Sequence, residues 1–294
     1  MYKFVYEFMA WAGKVAPLNW LDVAGRVLGT GMWYGLPGRR NLARANMTRA
    51  LGISFQTATM LGRQSFSHNG RSFAEIFTGR RADWRWFAEH VHVAQPEMVA
   101  RMQASRRPVV ATTGHFGAWE LLAPVMGMLF PERSKQVVIR HGRDEAMFRL
   151  LQRLRHRTGI EVLGHRKAAP AVVRHLHRGG VTAFLTDHNT TQKDAAFLPF
   201  LGRMAAVNMG PALLALRAKA LVWPVYLHRQ GKGYIFDADP PLDTAALEGD
   251  REDRCRQVAE FYTAAMERRI MIHPEQWFWM HNRWKTQPRG EQKR

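Results

Sequence analysis

His115 and Glu120 are the residues of this chain best placed to do chemistry. They stand in PVVATTGHFGAWELLAP, residues 108–124, where an apolar run from Val109 to Thr113 breaks at Gly114 and the histidine follows at once. The pattern reads as a buried strand, a tight turn and a helix with a histidine at its mouth. Residues five apart on one helix differ by about 140° around its axis and do not share a face. The two side chains can meet only if His115 lies in the loop before the helix and Glu120 in its first turn, a bend that Gly114 and Gly117 permit. A carboxylate held there would orient the imidazole and stabilise its protonated form, which makes His115 a general base. The same pair also reads as a core histidine and a helix-start glutamate favoured by the macrodipole. Spacing alone leaves both readings open.

Other charges fall at the ends of strand-like runs, where the sites of open α/β sheets gather. Arg140 closes VVIR, and Asp187 closes VTAFLTD ahead of His188 and Asn189. A buried strand that ends in a charge must give it a partner or a ligand. A structural salt bridge from Asp187 to Arg140 or Arg155 is one way to do so. The chain has no G-x-S-x-G elbow and no catalytic-cysteine context, so a covalent acyl-enzyme has no support. Phosphate-loop and dinucleotide fingerprints are also missing, and His175-x-His177 lacks further ligands at a metal spacing. No cofactor is expected. Direct general-base catalysis fits best, with His115 deprotonating a hydroxyl or amine that attacks an activated carbonyl.

The elements that must position these groups alternate. Helices are expected over 41–50, 54–77, 95–105, 118–129, 144–157, 168–178, 208–218 and 251–272. Strands are expected over 109–113, 136–140, 160–163, 181–186, 221–227 and 233–237. The strands are short, β-branched and without polar alternation, as buried ones are. This predicts a single α/β domain over 1–294, with a mixed, mostly parallel central sheet and helices on both faces.

Composition sets the partners. The chain has 294 residues, 46% of them hydrophobic, enough for a sizeable core. Cys255 is the only cysteine, so no intrachain disulfide can form. Lys and Arg number 43 against 24 Asp and Glu, a formal charge of +19. Such a surface attracts nucleic acid, anionic lipid headgroups or an acidic carrier protein. No nucleic-acid-binding motif accompanies the charge, so nucleic acid is the runner-up. Residues 1–36 are rich in aromatics, with Tyr2, Tyr6, Trp11, Trp20, Trp33 and Tyr34, yet Lys3, Glu7, Lys14, Asp22 and Arg26 interrupt them. No window reaches the ~20 apolar residues of a spanning helix. Helices lying in a membrane interface fit this pattern, and an ordinary packing hairpin is the alternative.

His115-x4-Glu120 resembles the H-x4-D/E motif of the glycerolipid acyltransferase superfamily. The chain is more closely similar to the bacterial lipid A biosynthesis (lauroyl/myristoyl) acyltransferases and their phosphatidylinositol mannoside acyltransferase relatives. Most of the chain takes part, through VVIRHGRDEAMFRLLQRLRHRTGIEVL, through RGGVTAFLTDHNTTQKDAAFLPFLGRMAAVNMGPALLALRAKALVWPV, and through the ending HPEQWFWMHNRWKTQP. The resemblance implies that His115 is the general base and Glu120 its orienting partner. It implies substrate-binding roles for Arg140, Arg155 and Asp187, and for Arg203 in the turn Phe200-x-Gly202-Arg203. An acyl group would pass from acyl-carrier protein or acyl-CoA to a hydroxyl or amine of an anionic lipid, such as a lipid A precursor. Another glycolipid, a lysophospholipid or an aminolipid is the alternative acceptor. The work would take place at the cytoplasmic face of a bacterial inner membrane. Met126, Met128, Leu129 and Phe130 are candidate walls for the acyl chain.

Overall fold

A computed structural model describes residues 11–13, 15–78, 83–139, 149, 152–153, 159–165 and 168–288. Three helices come first: α1 (Leu18–Gly35), α2 (Pro37–Leu51) and α3 (Phe55–Thr78). Then follow α4 (Trp84–His90), β1 (Val91–Val93), α5 (Pro96–Ala104), β2 (Val109–Thr113), α6 (Trp119–Leu129), β3 (Lys135–Ile139) and β4 (Ile160–Gly164). The second half holds α7 (Ala169–His177), β5 (Val181–Leu185), β6 (Ala195–Phe200), β7 (Arg203–Asn208), α8 (Gly210–Arg217), β8 (Leu221–Gln230), β9 (Gly233–Ala238), β10 (Leu242–Asp243) and α9 (Arg251–Ile272).

The main sheet runs β1-β9-β8-β2-β5-β3-β4, with β10 pairing against the start of β8. Its centre and one wing, β8-β2-β5-β3-β4, are parallel throughout; β9 and β10 pair antiparallel with β8. The expected mostly parallel sheet is present, and its strands lie within a residue or two of their predicted bounds except where β8 extends to Gln230. Successive residues of β2 point to opposite sides. Val109 and Ala111 pack into a core with Trp86, Leu121, Val125 and Met126 under α4 and α6. Val110 joins Val172, Leu176, Ala212, Val258 and Tyr262 of α7, α8 and α9 on the other face. Helices therefore cover both faces.

Several elements escape the sequence reading. β1 and α4 are too short for a periodic signal. The β6–β7 hairpin lies within AAFLPFLGRMAAVN, whose alanines blur the alternation expected of strands. Its turn is Leu201-Gly202 with φ of 49° and 70°, the left-handed pair that a two-residue hairpin requires. Leu201 tolerates that backbone because its side chain is buried and its N–H donates to Glu267. The helix expected over 144–157 falls mostly outside the described residues.

A third core joins α1–α3 to the C-terminal segment 273–288, with Trp33, Met47, Phe66, Phe116, Trp277, Trp279 and Trp284. α1 crosses α3 at near-contact distance. A Cβ at Gly29 would lie 2.2 Å from Phe66 O, and one at Gly25 would lie 2.6 Å from Arg71 Cα. α3 is pinned to the sheet by a buried network. Glu75 pairs with Arg229 at 2.5 Å and accepts from the Tyr234 hydroxyl at 3.1 Å. Ser72 accepts from Arg229 Nη2 and donates to Gly117 O, both at 2.8 Å. The Gln276 side chain bridges the backbone N–H and C=O of Arg229.

All of this converges on Gly117, whose φ is +61° and whose Cβ, if present, would lie 2.2 Å from Leu227 O. Gly117→Ala is expected to cost at least about 2 kcal/mol of stability, from left-handed strain plus a backbone clash. Urea unfolding of both proteins checks this; an unchanged midpoint would show that the loop relaxes freely.

Candidate active site

Parallel register builds the site. β2 and β5 are neighbours, with Thr113 opposite Leu185. Two residues further on, His115 and Asp187 leave the carboxyl ends of these strands side by side. The strands stay stitched past their ends, because Thr186 N–H donates to Thr113 O at 2.8 Å. Asp187 accepts the backbone N–H of His115 on Oδ2 at 2.8 Å and contacts His115 Nδ1 with Oδ1 at 3.0 Å. Gly114 makes the approach possible; a Cβ there would lie 2.9 Å from Asp187 Cγ. Trp277 Nε1 donates to Asp187 Oδ2 at 2.9 Å.

The Asp187 side chain is 3% exposed and that of His115 is 19% exposed. Burial alone would favour a neutral Asp187 carboxyl. The charge on a protonated His115 and its hydrogen bond, with help from His188 and the Trp277 indole, outweigh that and hold Asp187 below the usual carboxylate range. An ionised carboxylate only accepts hydrogen bonds, so Nδ1 of His115 carries a proton and base chemistry falls to Nε2. Around the ring stand Trp119 at 5.5 Å, Phe278 at 5.8 Å and His188 at 4.3 Å between centroids.

The loop that presents His115 is held from several sides. Phe278 N–H donates to His115 O, Gly117 N–H to Gln276 O and Ala118 N–H to Leu227 O. His281 packs on His188, and its Nε2 accepts the Asn189 N–H at 3.0 Å. Burial lowers the His281 pKa to about 4, which keeps the ring neutral and able to accept.

The pairing of His115 with Glu120 read from the spacing needs correction. His115 does precede the helix, and Glu120 is the second residue of α6. The carboxylate on Nδ1, however, is Asp187, and Glu120 accepts from the Trp119 indole at 3.1 Å. Asp187, read from the resemblance as a substrate-binding residue, turns both of its oxygens toward His115 and Trp277. The alternative partners of Asp187, Arg140 and Arg155, lie outside the described residues. Arg203 opens β7 beside the predicted turn, and its guanidinium lies 4.6 Å from the Trp284 ring centroid. Trp284 packs on Trp277, so an aromatic chain connects Arg203 to the Asp187 shell. No motif of the chain assigns Trp277 a role, and its place in WFWMHNRW is the available signal.

A narrow apolar cavity of ≈ 70 Å³ adjoins the site. Thr113 and Trp119, which flank His115, line it, as do Leu122, Met126, Ala183 and Leu185. Among its further lining residues, Lys135, Ile160 and Val181 start their strands, so the cavity follows the strand direction for roughly 13 Å at ~3.3 Å per residue. Met126 lines this cavity, whereas Met128, Leu129 and Phe130 belong to the packed core beside it. Lys135 satisfies its buried ammonium on Phe130 O and Arg133 O at 2.6 and 2.7 Å.

Comparison with known proteins follows the same direction. The sequence profile described as "Bacterial lipid A biosynthesis acyltransferase" matches residues 1–286. The chain is 27% identical over 219 residues to a lipid A biosynthesis lauroyltransferase of Escherichia coli, covering 70% of this chain and 67% of that one. It is 27% identical over 261 residues to a lipid A biosynthesis palmitoleoyltransferase of the same organism, covering 86% and 81%. A phosphatidylinositol mannoside acyltransferase of Mycobacterium tuberculosis is 24% identical over 251 residues, covering 82% and 76%.

Three histidines, His228 buried and His68 and His281 half-buried, make stability acid-sensitive. Burial holds His68 near 3 and His228 and His281 near 4, against an ordinary 6.5. Between pH 6.5 and 4 the unfolded chain therefore binds more protons than the folded one. Their contribution is intact above 6.5 and is lost as pH falls toward 4. Thermal melts from pH 7.5 to 4 should show Tm dropping steadily; a flat profile would contradict the burial of these rings.

Proposed function

The chain belongs to the bacterial lipid A biosynthesis acyltransferase family, and from that premise we propose how its site works. It is an acyltransferase acting on lipid-like acceptors. In our reading it moves a fatty acyl group from the thioester of acyl-carrier protein or CoA to a hydroxyl or amine of an anionic lipid such as a lipid A precursor. His115 is the general base, through Nε2. Asp187 orients the ring and stabilises its protonated form. The observation that carries this assignment is the two-point clamp of Asp187 on the backbone and ring of His115. The apolar cavity beside Trp119 takes the acyl chain. A relative named for phosphatidylinositol mannoside keeps another glycolipid open as the acceptor.

The acceptor is a lipid, so the site must reach a bilayer, and α1 supplies the contact. Its inner face is Gly25, Gly29 and Trp33. Its outer face is Trp20, Val23, Val27 and Tyr34, exposed by 69, 58, 65 and 62%. These four share one helix side at 3.6 residues per turn, and bulky apolar residues turned away from the protein are the mark of an interfacial helix. From Val23 to Ala74 the chain has no Asp or Glu and seven Arg, which suits anionic headgroups. No helix among the described residues is long and apolar enough to cross a membrane. This supports a peripheral or monotopic position on the cytoplasmic face of the inner membrane.

Detergent-solubilised protein given radiolabelled acyl-CoA or acyl-carrier thioester, with a lipid A precursor or a lysophospholipid, tests the chemistry. His115→Ala should lower transfer by about 10³-fold and Asp187→Asn by about 10²-fold or more, with a smaller loss in Glu120→Gln. Transfer that survives His115→Ala sinks the mechanism. Flotation on vesicles tests the surface. Recovery should be high with phosphatidylglycerol present, fall with salt, and drop about tenfold in Trp20→Asp/Val27→Asp. Equal recovery of that variant would place the membrane contact elsewhere.

A further inference from the structure

We propose that Lys135 is the floor of the acyl cavity and sets the length of the chain that is transferred, with lauroyl accepted over palmitoyl. This rests on the acyl-transfer reading above.

The cavity lies between the sheet and one side of α6. Trp119, Leu122, Ala123 and Met126 line it from the helix, at the i, i+3, i+4, i+7 spacing of a single helix face. From the sheet it is lined in layers, because every second residue of a strand points to the same side and parallel register keeps neighbouring strands level. Thr113 and Leu185 form the layer below His115 and Asp187. Ala111, Ala183 and Val137 form the next. Lys135, Val181 and Ile160 form the last.

Space opens at the middle layer. Ala111 and Ala183 stand side by side in register, and α6 adds a third alanine, Ala123. Small residues on both walls leave room that larger ones would fill. Exposure along β5 alternates accordingly. Ala183 and Leu185 are half-buried, whereas Thr182 and Phe184 on the opposite side are buried.

The last layer differs in chemistry. Lys135 is buried, and its ammonium donates to Phe130 O and Arg133 O at 2.6 and 2.7 Å. Phe130 is the C-cap of α6, and a cation is favoured at a helix C-terminus. The charge is thus tied down at the far end of an apolar channel. A methyl group that pushed further would have to part a buried cation from its acceptors, which costs more than burying another methylene returns.

The depth gives the chain length. An extended alkyl chain advances about 1.25 Å per carbon, the projection of a C–C bond of ~1.5 Å. The roughly 13 Å from the first layer to the last therefore takes about ten carbons. With the carbonyl and its neighbour beside His115, the fit is a chain of about twelve.

The test supplies saturated acyl thioesters from octanoyl to palmitoyl, on CoA and on carrier protein, with a lipid A precursor as acceptor, and reads kcat/KM for each length. Wild type should favour lauroyl over palmitoyl by at least about tenfold, since a single misfitting methylene in an enclosed pocket can cost that much. Lys135→Ala removes the four-carbon stem, and the palmitoyl-to-lauroyl ratio should rise about tenfold or more. Lys135→Val keeps a β-branched side chain on β3 and should shift the ratio the same way by less, which serves where Lys135→Ala does not fold. Ala183→Leu fills the middle layer and should move the optimum to decanoyl or shorter. Thermal melts establish the folding of each variant. A wild type that prefers palmitoyl, Lys135 variants whose profiles run parallel to wild type, or Ala183→Leu with the wild-type optimum overturns the proposal and leaves acyl transfer standing. A wild type that transfers no chain of any length overturns the acyl-transfer reading and this proposal with it.

Discussion

A single buried carboxylate organises this site. Asp187 has almost no contact with water, and a buried charge is tolerated only when paired and hydrogen-bonded. It takes two donors from His115 and one from Trp277. These come from the end of β2 and from the C-terminal segment, while Asp187 itself closes β5. Satisfying one charge therefore fixes three remote parts of the chain together. The dense aromatic packing of Trp277, Trp279, Trp284, Phe200 and Phe278 follows from the same need, because it supplies the dry surroundings in which those hydrogen bonds are strong.

α3 couples this centre to the N-terminal helices. One stretch, around Phe66 and Gly70, takes the glycine face of α1 at backbone contact. About a turn further along, Ser72 and Glu75 hold Gly117 and Arg229. The helix that presents the outer apolar face of α1 is thus rigidly joined to the loop carrying His115. Under the proposed docking of α1 on a bilayer, this junction would present a lipid acceptor to His115 at a fixed height.

Most of the scaffold was legible from pattern. Buried parallel strands such as VVATT and VTAFL leave continuous apolar runs, and α9 spans 251–272 as its pattern foretold. The β6–β7 hairpin was hidden because its alanines carry no alternation and its turn uses a leucine in a backbone state that favours glycine. The two faces of α1 were hidden for a different reason. Both are apolar, so periodicity cannot say which one the protein covers, and only the close fit of Gly25 and Gly29 against α3 decides it. The family itself was legible from blocks of residues spread over the chain, which no single motif could carry.

The partner of His115 shows where spacing fails and topology succeeds. Glu120 is near in sequence, and a search by spacing weighs only near residues. Asp187 is 72 positions away, yet β2 and β5 are adjacent and parallel, with Thr113 level with Leu185. Each strand runs on two residues to its functional group, so His115 and Asp187 are level as well. The charge closing VTAFLTD was a recognisable sign that a buried strand end needed a partner. What the sequence lacked was strand order, because β3 and β4 intervene in the chain while β5 inserts between β2 and β3 in the sheet. Once that order is given, the pairing of His115 with Asp187 follows from register alone, and Glu120 is left to the helix start, where a carboxylate is favoured by the dipole in any case.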